Sequence, residues 1–101
     1  MQSRQYKTSP RFRGYLFERE VRKKLEELNF FVFRSPGSFL VDLVAFSPKK
    51  KVYWIECKIH RKPPLSEIEK WKEIARTYGA EYHVVTRDNL KEFLNRVKEE
   101  G

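Results

Sequence analysis

Three ionisable side chains stand in two apolar runs that are close together in the chain. Asp42 sits inside Leu40-Val41-Asp42-Leu43-Val44, and Glu56 and Lys58 alternate with apolar residues in Trp54-Ile55-Glu56-Cys57-Lys58-Ile59. An ionised carboxylate among apolar neighbours is costly unless it is paired or bound to a metal. The plainer alternative is an acid at the end of an edge strand, reaching water. A period of two puts Glu56 and Lys58 on one strand face, with Ile55, Cys57 and Ile59 on the other. If the two runs pair through the short turn between them, one acid from each converges on a common point. Two carboxylates at one point repel, and the usual remedies are a shared proton or a divalent cation. Oxygen ligands without a Cys/His set select Mg²⁺ or Mn²⁺ over zinc. Lys58 can then hold a water and offset negative charge developing on a phosphate. The competing reading of Glu56 and Lys58 is an ordinary pair on a wet strand face.

Other residues are candidates on weaker grounds. Glu18 borders the apolar stripe of the first helix, where it could reach the Asp42/Glu56 point or simply complement the helix dipole. Arg19, Arg34, Ser35 and Ser38 are natural phosphate contacts, with solvated loop residues as the bland alternative. His60 and His83 lack metal-ligand spacing, and Cys57 reads as a small core residue.

The elements that must position these groups follow from periodicity and turn chemistry. A helix is expected from Gly14 to about Leu28, with Phe17, Val21, Leu25 and Leu28 as its apolar stripe. Strands are expected at Phe30–Phe33, Phe39–Phe46, Val52–Ile59 and Tyr82–Val85. The turns Ser35-Pro36-Gly37-Ser38 and Ser47-Pro48-Lys49-Lys50 separate the first three. Ser66 with Glu69 and Asn89 with Glu92 fit capping boxes of two further helices, the earlier one ended by Gly79. The predicted order is α-β-β-β-α-β-α in one α/β domain, a mixed sheet with helices on both faces. The domain is expected over residues 14–101, behind a basic flexible arm at 1–13 carrying Arg4, Lys7, Arg11 and Arg13 and no acid.

Composition narrows the function classes. Twenty-two Lys and Arg against 14 Asp and Glu leave +8 on 101 residues, a balance that favours a polyanionic partner. With 40% hydrophobic and 15% aromatic residues the chain is a folded domain and not a disordered basic tail. No apolar run is long enough to span a bilayer and the start has no secretory h-region, so no membrane role is expected. The single cysteine points to a reducing cytoplasm, whether the source is cellular or viral.

Asp42, a gap, and Glu56-Cys57-Lys58 behind a helix bearing an acid resemble the PD-(D/E)xK nuclease superfamily. The longer string is more specific: Phe17-Glu18-Arg19-Glu20, Arg34-Ser35-Pro36-Gly37-Ser38, Val41-Asp42-Leu43-Val44-Ala45 and Ile55-Glu56-Cys57-Lys58. It is similar to the archaeal-type Holliday junction resolvases, closely over residues 14–60. The resemblance implies a restriction-endonuclease-like fold and a homodimeric, Mg²⁺-dependent endonuclease that nicks opposing strands of a four-way DNA junction, near the nucleoid. It implies Asp42, Glu56 and the Cys57 carbonyl as metal ligands, Lys58 orienting the water, and Glu18 assisting at the metal. Arg19, Arg34 and either Ser35 or Ser38 are implied to contact DNA or support catalysis, and the charge of the basic arm is expected to add DNA contacts of its own. Trp71 and Phe93 are the residues expected at a dimer interface. Competing readings are a nuclease of the same superfamily acting on flaps, branched repair intermediates or duplex sites, and a non-catalytic nucleic-acid-binding module. The last leaves three acids near one point unexplained, since they repel DNA without a metal.

Overall fold

Ser9 and Pro10 open the first helix in the computed structural model, which describes residues 9–36 and 41–101. The Ser9 hydroxyl accepts the Phe12 N–H at 3.3 Å, and Pro10 supplies a helical φ where no N–H is needed. Helix α1 therefore spans Pro10–Glu27, starting four residues before the expected Gly14. The boundary drawn between residues 13 and 14 falls inside this helix, and Arg11 and Arg13 are helical. The remainder of the expected arm, Arg4 and Lys7 included, lies outside the described residues. Asn29 then turns the chain with φ 71°, and buried Phe30 leads into β1.

The strands are β1 (Phe31–Arg34), β2 (Leu43–Phe46), β3 (Val52–Cys57) and β4 (Ala80–Val85), with α2 (Leu65–Thr77) and α3 (Leu90–Glu100) completing the predicted order. Spatial order is β1-β2-β3-β4. The first three strands are antiparallel, and β4 is parallel to β3 because α2 carries the chain back across the sheet. β2 is shorter than its apolar run: Phe39 and Leu40 lie outside the described residues, and the chain bends at Asp42 before the strand begins. β1 sits one residue later than expected, at Phe31 instead of Phe30.

Each face of the sheet has its own core. On one, Phe17, Val21 and Leu25 of α1 and Phe93 and Val97 of α3 cover Tyr53 and Ile55 of β3 and Leu43 and Ala45 of β2. On the other, Ala75, Ile68 and Trp71 of α2 pack with Tyr82, Trp54 and Val44. Fully burying such an aliphatic or aromatic side chain contributes roughly 1.5–3 kcal/mol, so these two layers hold the strand ends in place. Phe93 is 6% exposed and belongs to the first core, which corrects its assignment to an interface; Trp71 is half-buried against the second. Helix α2 lies over β4. On β1 and β2, Phe31, Phe33 and Phe46 remain exposed, with ring centroids 6.0–6.4 Å apart.

Neither expected capping box forms. α2 begins at Leu65, ahead of Ser66, and its first turn is closed by Glu67 and Ile68 N–H groups donating to the Pro64 carbonyl. Asn89 precedes α3 but its side chain turns back: Oδ1 accepts the Thr86 N–H and Nδ2 donates to the Val84 carbonyl. The Gly79 stop of α2 is observed, with φ 78°. Among the described residues no helix is long and apolar enough to cross a membrane.

Candidate active site

The bend at Asp42 is what makes its carboxylate available. Its backbone stays in the sheet, the N–H donating to the Ile55 carbonyl at 3.0 Å and the carbonyl accepting the Ser35 N–H at 2.9 Å. Its side chain turns toward β3, where Oδ2 accepts the Cys57 N–H at 2.7 Å. The regular register ends with Leu43 opposite Ile55 and Val44 opposite Trp54, and Asp42, one residue before it, is tied to β3 through the Ile55 carbonyl and the Cys57 N–H. The two acids expected to approach each other from neighbouring strands stand at the adjoining ends of β2 and β3, near enough for the Asp42 charge to act on Glu56.

Glu56 and Lys58 share a face, as expected, and their side chains meet: Lys58 Nζ is 3.1 Å from Glu56 Oε2. Burial pushes the Glu56 carboxyl above its ordinary pKa and the Asp42 charge pushes it further, while Lys58 pulls it back. Beneath them, the Cys57 thiol is driven well up, by burial first and then by Asp42, Glu18 and Glu56. Cys57 itself packs against the first core and stays protonated.

Glu18 approaches from α1 and is 8% exposed. Arg34, at the end of β1, donates from Nε to Glu18 Oε1 at 2.5 Å. Burial raises the Glu18 carboxyl, the Arg34 hydrogen bond lowers it, and Asp42 raises it again. Arg34 therefore anchors an acid in addition to presenting charge to solvent, and its own side chain is 56% exposed. Among the described residues, no three His, Cys, Asp or Glu side chains stand close enough to hold one ion together. An ion at this point would rest on the Asp42 and Glu56 carboxylates and main-chain oxygen.

The remaining candidates divide by position. Arg19 lines a groove with Glu18 and Arg34 along α1. Ser35 is half-buried, its N–H tying β1 to Asp42; Ser38, Arg4 and Lys7 lie outside the described residues. Arg11 is exposed on the first turn of α1, and Arg13 lines a depression shared with Cys57, Lys58, His60 and Arg61. Arg61, Lys62 and Glu67 escaped the sequence reading. They line a groove of about 370 Å³ beside Glu56 and Lys58, into which Trp71 and Tyr82 also face. Basic residues directly after a site strand were the available signal for Arg61 and Lys62. Tyr15, three residues before Glu18, was also missed; its ring lies 5.5 Å from the Arg34 guanidinium carbon.

The family model described as the archaeal Holliday junction resolvase (hjc) matches residues 9–98. The curated crossover junction endodeoxyribonuclease Hjc of Methanocaldococcus jannaschii is 35% identical over 81 residues, covering 76% of this chain and 60% of that protein. The solved structure of Archaeoglobus fulgidus Hjc, described as a Holliday junction resolvase from an archaeal hyperthermophile, matches with a TM-score of 0.59 at 30% identity. That match covers 74% of this chain and 64% of the other. The chain thus spans less than two thirds of the length of either relative.

Proposed function

Because the chain belongs to the archaeal Holliday junction resolvase family, we propose that it is a metal-dependent endonuclease that resolves four-way DNA junctions by paired nicks. The observation that carries this reading is the convergence of Asp42, Glu56 and Lys58 at the adjoining ends of β2 and β3. A solely DNA-binding module on a +8 chain has no use for a half-buried Glu56 beside the charge of Asp42.

The donor set fits a hard divalent cation, Mg²⁺ with Mn²⁺ as substitute. The Asp42 charge bears on the Glu56 carboxyl and the neighbouring thiol is held protonated, so oxygen is what the site offers. Asp42, Glu56 and the Cys57 carbonyl would hold the ion, with Glu18 behind them. When bound, the cation supplies positive charge against the phosphate and makes water a stronger acid. The protein's own part is positioning. The Cys57 N–H fixes one Asp42 oxygen, and Lys58, anchored on Glu56, holds the attacking water and opposes charge developing on the phosphate oxygens. Water attacks phosphorus as the bond to the leaving oxygen breaks, and no covalent enzyme intermediate forms. Arg19, Arg34, Ser35 or Ser38, and the basic residues Arg4, Lys7, Arg11 and Arg13 contact DNA.

The described residues offer one such site, and resolving a junction takes two cuts related by a twofold axis. The working unit is therefore a symmetric homodimer, for which exposed Phe31, Phe33, Leu65 and Tyr78 leave apolar surface. Its place of work is the DNA-containing cytoplasm.

The test is incubation with labelled junction, flap and linear duplex, in Mg²⁺ or in EDTA. Cleavage of the junction in Mg²⁺ alone, with flap and duplex spared, is expected. Equal cutting of flaps would move the reading to another nuclease of the superfamily, and no cutting of any substrate would overturn it.

A further inference from the structure

Tyr15 belongs to neither hydrophobic core and is 39% exposed. Three residues apart on α1, Tyr15 and Glu18 lie on one face of the helix, and both meet the same partner. The Arg34 guanidinium carbon is 5.5 Å from the Tyr15 ring centroid, within the range in which a cation is attracted to an aromatic face. The same guanidinium donates from Nε to Glu18 Oε1 at 2.5 Å. A flexible side chain on the last residue of an edge strand is thereby fixed from two directions. Its Nη donors are the ones this hydrogen bond leaves uncommitted, and the side chain remains 56% exposed.

We propose that Tyr15 is a positioning residue for the nuclease site, acting through Arg34: the ring holds the guanidinium over Glu18 with its Nη groups turned to a DNA phosphate. This rests on the nuclease reading above. Glu18 alone fixes one nitrogen and leaves the guanidinium free to swing about that contact; attraction to the ring restrains that swing. A planar fork held in orientation loses less freedom on meeting a phosphate, so the effect falls on substrate binding.

The experiment is a double-mutant cycle in the full chain. Junction affinity is read by fluorescence anisotropy in EDTA, and single-turnover cleavage is read in Mg²⁺ with junction at saturation. Tyr15→Ala is expected to weaken junction binding roughly 2- to 5-fold, the fold-change of a partly exposed cation–π contact. The cleavage rate at saturation should change less than binding. Tyr15→Phe keeps the ring and should restore affinity. In an Arg34→Ala background, Tyr15→Ala should cost nothing further, since the residue through which it acts is gone. An equal loss in both backgrounds would overturn the proposal and make the ring a direct DNA contact. Failure of Tyr15→Phe to restore affinity would also overturn it, assigning the effect to the hydroxyl. A wild-type chain that binds junctions without cutting them refutes the nuclease reading separately, because the affinity cycle needs no cleavage.

Discussion

Removing Arg34 should convert a paired, buried acid into an isolated one, with a consequence that depends on pH. Glu18 is 8% exposed, accepts the Arg34 Nε–H at 2.5 Å, and already has its carboxyl raised by burial with Arg34 opposing the rise. Breaking a fully buried pair costs about 3–5 kcal/mol, and an exposed pair contributes about 0–1 kcal/mol. Here one partner is buried and the other half in water, so Arg34→Ala should cost about 2 kcal/mol at pH 7.5. For a chain of this size that lowers Tm by roughly 10 °C. In the variant the Glu18 carboxyl rises further, above its unfolded value. A carboxyl with a raised folded pKa binds more protons folded than unfolded, so stability falls as pH rises through the interval between those two values. The variant's deficit should therefore be largest at neutral pH and shrink as pH falls and the buried Glu18 carboxyl takes up its proton. Urea unfolding of both proteins at several pH values measures this directly. Glu18→Gln in the Arg34→Ala background should recover most of the loss at pH 7.5. A deficit independent of pH, or no recovery by Glu18→Gln, would refute the reasoning and assign the cost to lost packing of the Arg34 stem.

Two further outcomes follow from particular residues. Deleting residues 1–8, which spares the Ser9 cap, removes Arg4 and Lys7; if both meet phosphate, the log–log salt slope of junction binding should fall by about 1.8, and an unchanged slope would show that they do not. His83 lies between the Tyr53 and Phe93 rings with its pKa lowered by burial, so the unfolded chain takes up its proton first and stability should drop as pH falls through about 6.5. His83→Phe should flatten that part of the unfolding curve, and an unaltered curve would put the dependence elsewhere.

The element order was legible because each helix and strand carries its own period and Gly79 ends a helix by local chemistry alone. Errors arose where a local signal competed with a compositional one or with tertiary contact. Ser9-Pro10 is a helix start, but four basic residues without an acid read more strongly as an arm. Ser66 and Asn89 carry the spacing of capping boxes, yet α2 already begins at Leu65 and Asn89 is drawn to Thr86 and Val84. Within the site, Asp42, Glu56 and Lys58 could be brought together because pairing of two adjacent strands is nearly determined by a short turn. The Arg34–Glu18 pair and the Tyr15 ring against it could not, since they depend on how α1 docks on the sheet. Phe93 illustrates the same limit: an aromatic count suggests spare surface, and packing in the first core and against His83 removes this ring from it.

The central claim is that Asp42 and Glu56 form a nuclease's metal site, and cleavage of a labelled four-way junction by Asp42→Asn and Glu56→Gln tests it most directly. Each change removes a ligand charge with almost no change in volume. Both variants are predicted to fold, to bind junction at least as tightly as the wild type because negative charge facing phosphate is lost, and to cut no strand in Mg²⁺. Near-wild-type cutting by either variant would contradict the account.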